Sequence, residues 1–288
     1  MRIAELRKEY HSRICREIIR VSRDPRKGIE YPNFADSGNK SSVSIAHGIT
    51  GRMACKPNYE RVKEQVVGDL FELATRDFLR DSFGLLQHVR PGDWIYSTDR
   101  PKISGFDQYE HLAYLEDLVR RDKALRPALG GDYIVKPDII VARKPLSDAQ
   151  VNGKGKLVGK REPVARLTPL RASNRDKPCA ILHASVSCKW TIRSDRSQNT
   201  RTEALNLIRN RKGNLPHIVA VTAEPLPSRI AALALGTGDL DCVYHFALTE
   251  LTEAVRQVDN QDQLEMLEVM VDGRRLRDIS DLPFDLAV

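Results

Sequence analysis

Two stretches of the chain carry residue types that together could hydrolyse a phosphodiester. Pro137-Asp138 lies within an apolar run, and much further along comes SCKWTIRSDRSQNTRTE, Ser187 to Glu203. Such hydrolysis needs an attacking water, a stabilised pentavalent phosphorus and a stabilised leaving oxygen. Magnesium held by carboxylates and waters serves all three. If the strands bearing Asp138 and Lys189 pair, both side chains meet at one sheet end. A lysine there can orient or activate the water and offset phosphate charge. Taken singly, a Pro-Asp pair or a Ser-x-Lys is commonplace and is usually a surface turn or a solvated charge. Their order and strand context are what join them.

One feature is irregular. The widespread nuclease pattern sets Asp or Glu two residues before the lysine, and Ser187 stands there instead. Another acid must replace it. Glu203 is expected to begin the helix after the strand and could fold back over the site. Glu72 follows Phe71 midway along a long helix, at the edge of its apolar face. A mere boundary residue is an equal reading for Glu72.

Base reading is the second chemistry. Arg193, Asp195 and Arg196 lie within four residues. Arginine donates two hydrogen bonds to guanine O6 and N7, and aspartate accepts from cytosine N4. The trio could read adjacent G·C pairs, and a dimer using it twice on two-fold symmetric DNA would read CCGG. An isolated RSDR is more often a surface salt-bridge cluster, but here a phosphate at Lys189 would bring base edges within reach. Arg229, after Pro225 and Pro227, could reach a flanking pair. Asp36 and Gln65 could do so from the N-terminal region, although their immediate context does not compel it.

The elements that must position these groups follow from periodicity. Helical spacing runs over residues 1–22, from Tyr59 to Leu86 and from Tyr109 to Leu125. In the second of these, Val62, Val66, Leu70, Ala74 and Phe78 form a stripe that Val67 and Phe71 widen. Residues 23–58, rich in Gly, Ser, Asn and Pro, read as loop. Tyr133 to Ala142 and Ala180 to Trp190 read as strands, the latter with Ile181, His183, Ser185, Ser187 and Lys189 on one face. Between them, 144–178 is a basic excursion, a loop or flap. A helix over Glu203–Lys212, a strand over His217–Ala223, a short helix over Ile230–Leu235, a strand over Cys242–Ala247 and a helix over Thr249–Val258 follow. The pattern predicts an α/β fold with a central mixed sheet flanked by helices, in one domain over 1–288.

Composition narrows the partners. Net charge is +7 and pI about 9.2, which favours a polyanion. Charged residues make up 30% and hydrophobic ones 41%, ordinary for a globular chain. Cys15, Cys55, Cys179, Cys188 and Cys242 are odd in number and form no CxxC pair. That argues against a disulfide framework or a zinc site and makes a reducing cytoplasm the default. The N-terminus lacks an apolar signal core, and no apolar run is long enough to cross a membrane.

The segment HASVSCKWTIRSDRSQNTRTEALNLIRNRKGNLPHIVAVTAEPLPSRI resembles the NgoMIV family of type II restriction endonucleases. So do LQHVRPGDW, the stretch around YIVKPDIIVAR, ALGTGDLDCVYHFAL and the C-terminal DISDLPFDLAV. The likeness runs from about Gln65 onward and more weakly over 30–50. It implies a restriction-endonuclease-like PD-(D/E)xK core and Mg2+ dependence, with two ions per active site. It also implies a homotetramer built as a dimer of dimers on two DNA duplexes, and a cognate DNA methyltransferase. The implied active site is Asp138, Lys189, Glu203 and Glu72 with Ser187 in support, and with the Cys188 carbonyl as a metal ligand. This subfamily takes its carboxylate from the following helix, which explains Ser187. By the same carry-over, Arg193, Asp195 and Arg196 read the inner CCGG and Arg229 the outer guanine. Gln65 and Asp36 approach from the minor-groove side or the outer pair. The implied site is GCCGGC, cut after the first G to leave 5′-phosphates and four-base 5′ overhangs. Two other readings stand beside it: a repair or recombination nuclease that prefers a DNA structure to a sequence, and a site-specific DNA-binding protein with a defunct centre.

Overall fold

The computed structural model describes residues 2–25, 28–122, 135–159, 162–192, 194–236 and 238–288, leaving aside the side chains of 194–197. Helix α1 (Ile3–Glu17) leads into the hairpin β1 (Val21–Asp24) and β2 (Ile29–Pro32), then α2 (Lys40–Arg52) and α3 (Glu64–Gly84). Next come β3 (Trp94–Ser97), α4 (His111–Arg121), β4 (Ile139–Arg143), α5 (Asp148–Asn152), β5 (Ile181–Lys189) and α6 (Ser194–Asn210). The chain closes with β6 (His217–Thr222), α7 (Pro227–Ala234), β7 (Cys242–His245), α8 (Leu248–Gln257), α9 (Gln261–Asp272), β8 (Leu276–Asp278) and α10 (Leu282–Asp285). A mixed six-stranded sheet in the order β3-β4-β5-β6-β7-β8 confirms the α/β class. β3 and β4 are antiparallel; β6, β7 and β8 are parallel.

The chain divides into two compact units. The first comprises Met1–Arg90, Val186–Ala204 and Ile218–Val288. Its parallel strands are nearly continuous apolar runs, since helices cover both faces of such a sheet. Val219, Val221, Val243 and Tyr244 are all buried. α3 turns Val67, Phe71, Ala74 and Phe78 inward, and Val66 is left exposed. The buried stripe is therefore rotated from the one the sequence suggested. α1 packs on α3, and the Tyr10 and Thr75 hydroxyls share a 3.0 Å hydrogen bond.

The second unit comprises Pro91–Ser185 and Leu205–His217. Its core gathers Ile103, Phe106, Tyr109, Leu112 and β4. The buried Gln108 amide clamps β5, donating to the Leu182 carbonyl at 2.7 Å and accepting from the Leu182 N–H at 3.0 Å. Within the basic excursion, the described residues include α5. Arg171 forms a two-pronged ion pair with Asp148, both contacts at 3.0 Å, which ties α5 to the far end of the segment.

Several boundaries differ from the sequence reading. Residues 23–58 contain a hairpin and α2 rather than loop alone. α2 was hidden because Ser and two glycines dilute its apolar spacing. Gly48 is needed there: a Cβ would lie 2.7 Å from the Ala254 Cβ on α8. Val21, expected to be helical, lies in β1. α3 begins at Glu64, after an extended Tyr59–Lys63 segment. α6 begins at Ser194, not Glu203, because its first half is polar and shows no stripe. β3, α9 and β8 were not foreseen. The predicted helix and strand ends at 123–125 and 133–134 lie outside the described residues. Cys15 and Cys55, forty positions apart, form one disulfide, although the odd count and the lack of a CxxC pair argued against a disulfide framework. The fold brings the end of α1 to the chain beyond α2, a proximity that sequence spacing does not reveal.

Candidate active site

Strand β5 carries the lysine. Ile181, His183, Ser187 and Lys189 are half-buried, whereas Leu182, Ala184, Val186 and Cys188 on the other face are buried; Ser185 is the exception, buried although it belongs to the Lys189 face. The period-two expectation therefore holds, and Ser187 and Lys189 share a face. The strand's end is anchored through its backbone. The Lys189 carbonyl accepts from the Thr222 hydroxyl at 2.8 Å and from the Ala223 N–H at 3.2 Å.

The next residue, Trp190, enters an aromatic cluster. Its ring lies 5.1 Å from Phe71, 5.5 Å from Phe34 and 6.1 Å from Phe246, in edge-on or tilted geometry. Such pairs are worth about 0.5–1.5 kcal/mol each beyond the area they bury. Phe71 directly precedes Glu72 on α3, so one ring contact ties the chain next to Lys189 to the chain next to that acid. Glu72 is only 7% exposed, which removes the solvated-boundary reading. A carboxylate that buried must be matched by polar partners or a cation. Gln65 stands seven residues earlier, two turns along roughly the same side of α3, and is exposed.

Asp138 is half-buried and immediately precedes β4 in the second unit. Glu203 lies well inside α6 rather than at its start, and is exposed. Among the described residues, no three His, Cys, Asp or Glu side chains form a group able to hold a metal by themselves. The candidate donors are nonetheless carboxylates and one backbone carbonyl, all hard oxygens. Magnesium is a hard cation that takes oxygen donors and keeps several waters, and a donor set of oxygens alone suits it. Cys188 is buried, and only its carbonyl would serve.

Of the base-reading residues, Arg193 lies outside the described residues. Asp195 and Arg196 fall in the first turn of α6, and their side chains are not described. Arg229 and Asp36 are brought together, for the Arg229 guanidinium is ion-paired with Asp36 Oδ2. The other oxygen, Oδ1, accepts the Gly38 N–H at 2.8 Å, and the Asp36 N–H donates to the buried Ser42 hydroxyl at 2.9 Å. The pair is thus held in a defined orientation on α7, which opens with Pro227 at its first turn.

Sequence reasoning missed Glu224. It follows β6 and is 1% exposed. Oε2 accepts the Ile192 N–H at 2.9 Å, Oε1 accepts the Leu226 N–H at 3.2 Å, and Arg229 Nη1 stands 4.0 Å from Oε1. Burial pushes its pKa up to about 7, against the pull of those N–H groups and of Arg229. The signal was there: an acid between an apolar strand and the Pro225-Leu226-Pro227 turn has no simple surface role. Nearby, His245 is fully buried, and desolvation drives its pKa down to about 4.

Comparison with known proteins adds the context. Residues 10–288 match the family described as NgoMIV restriction enzyme. The type II restriction enzyme NgoMIV of Neisseria gonorrhoeae is 50% identical over 258 residues, covering 88% of this chain and 89% of that protein. Among solved structures, the type IIF restriction endonuclease Bse634I with cognate DNA aligns at 12% identity and a TM-score of 0.39. That alignment covers 86% of this chain and 97% of that one. A complex of the restriction endonuclease PspGI with substrate DNA aligns at 13% identity and a TM-score of 0.32, covering 99% and 92% respectively.

Proposed function

Because this chain belongs to the NgoMIV restriction enzyme family and is a type II restriction endonuclease, we propose that it makes Mg2+-dependent double-strand cuts in palindromic DNA with a CCGG core. The site is GCCGGC, cut after the first G, and the ends carry 5′-phosphates and four-base 5′ overhangs. The observation that carries the catalytic reading is the buried Glu72, tied by the Phe71–Trp190 contact to the strand end that bears Lys189.

Asp138, Glu72, Glu203 and the Cys188 carbonyl would hold the metal, two ions per site. Bound Mg2+ supplies Lewis-acid stabilisation of the phosphorane and the leaving oxygen. Lys189 orients the attacking water and offsets phosphate charge, with Ser187 beside it on the same strand face. Arg193, Asp195 and Arg196 read the inner CCGG. Arg229 reads the outer guanine, and Asp36 and Gln65 approach the outer pair or the minor-groove side. The Arg229–Asp36 pair suits a G·C pair, since guanine accepts from arginine and cytosine N4 donates to aspartate.

The whole chain acts as one restriction endonuclease domain, assembled as a dimer of dimers and paired with a cognate DNA methyltransferase in the cytoplasm. Among the described residues, no helix is long and apolar enough to cross a membrane. Lys189→Ala tests the catalytic assignment. It should abolish cleavage and leave specific binding of the GCCGGC duplex intact. Retained cleavage would remove Lys189 from the site.

A further inference from the structure

We propose that Glu224 is a positioning residue that sets specificity, through its hold on the backbone entering both base-reading segments. The inference rests on the roles given above to Arg193 and Arg229. Its two oxygens do two jobs. Oε2 accepts the N–H of Ile192, the residue directly before Arg193, and Oε1 accepts the N–H of Leu226, which caps the helix bearing Arg229. Arg229 itself stands 4.0 Å from Oε1 and is ion-paired on its other side with Asp36. All of these residues belong to the first unit.

A side chain that is 1% exposed cannot reach DNA without large rearrangement, so it acts through others. The hold is stiff at its base as well. The Glu224 N–H donates to the Thr222 hydroxyl at 3.0 Å, and that hydroxyl donates to the Lys189 carbonyl at 2.8 Å. The linkage therefore runs from the strand end bearing the proposed catalytic lysine, through Thr222 and Glu224, to the two reading segments. Positioning of this kind matters because bidentate readout fails when a guanidinium is displaced by a fraction of an ångström to an ångström. A neutral isostere at 224 offers one acceptor for two N–H donors and no charge for Arg229.

The test compares wild type, Glu224→Gln, Arg229→Ala and the double variant. Each is measured for binding to a GCCGGC duplex and to duplexes altered at the outer or the inner pairs, with Ca2+ in place of Mg2+. Glu224→Gln should lower discrimination at the outer pair about tenfold, and the double variant should lose little more than Arg229→Ala alone, because coupled residues are not additive. Glu224→Asp keeps the charge but is one methylene too short, and it should show the same loss if Glu224→Gln does not fold. A purely structural role would lower thermal stability and leave the discrimination ratio unmoved, and that result would overturn the proposal. If Arg229→Ala leaves outer-pair discrimination intact while Glu224→Gln lowers it at the inner pairs, the Arg229 role falls and the hold through Ile192 is supported. If neither substitution changes discrimination, both readings fail.

Discussion

Glu224→Gln should gain stability relative to wild type as pH rises through neutrality, even as it blurs base reading. Burial raises the Glu224 pKa from 4.5 to about 7; the Ile192 and Leu226 N–H groups and Arg229 oppose the rise, and Asp36 adds to it. The folded state therefore holds this proton more tightly than the unfolded chain. The stability contributed is complete below about pH 4.5 and is lost as pH rises through about 7. At about 1.4 kcal/mol per pK unit, the loss is about 3 kcal/mol. Glutamine does not titrate, but its NH2 faces one of the two N–H donors, a cost that does not change with pH. The stability of the variant relative to wild type should therefore rise by about 3 kcal/mol between about pH 4.5 and about pH 8. His245 works in the opposite direction, since its depressed pKa adds stability as pH rises from about 4 to 6.5. It is present in both proteins and cancels in the difference. Equilibrium denaturant unfolding across this range, followed by tryptophan fluorescence, measures that difference. A difference independent of pH, or one that falls as pH rises, would refute the buried, destabilised carboxylate.

Other perturbations follow from the same structure. Arg7 pairs with both Glu250 and Asp278, at 2.6 and 2.8 Å. Arg7→Ala leaves two partly buried carboxylates unpaired and should cost about 3 kcal/mol, measured by unfolding at neutral pH. Burial alone would raise the pKa of each acid, but Arg7 lowers both on balance. The stability this pairing adds is present above the ordinary carboxylate range and fades as pH falls, so the variant should show a shallower acid-side loss than wild type. Reduction of Cys15–Cys55 opens a loop of 40 residues and should cost up to about 4 kcal/mol, read as a fall in Tm with dithiothreitol that Cys15→Ser reproduces. Trp190→Ala empties the aromatic cluster and should cost about 3–5 kcal/mol. It should also slow cleavage more than it weakens binding, because it loosens the chain beside Lys189.

The elements with strong periodicity were legible. β5 was read almost to the residue because its alternation is sharp, and α3 was found from its stripe. The parallel strands announced themselves as β-branched runs. α2 and the first half of α6 were not legible, because glycine, serine and polar residues mask a helix that tertiary packing stabilises. The stripe on α3 was misplaced because Glu72 and Thr75, which are polar, belong to its buried face. The candidate site was read from residue types and the family resemblance, but its supports were not readable. Lysine, acids and arginines can be named from spacing. The Phe71–Trp190 contact and the Glu224 hold join residues more than a hundred and more than thirty positions apart, respectively, and no local pattern encodes them. The Arg229–Asp36 pair shows the same limit, since nothing near Asp36 in sequence points to Arg229.

The central claim is a metal-dependent, site-specific DNA cut. The most direct measurement is digestion of a plasmid of known sequence with Mg2+ and then with EDTA, with the ends sequenced. Cuts confined to GCCGGC that vanish with EDTA and leave four-base 5′ overhangs are the predicted result. Cuts at another CCGG-centred site would contradict the roles given to Arg229, Asp36 and Gln65. Tight binding to GCCGGC without any cutting would contradict the catalytic assignment itself.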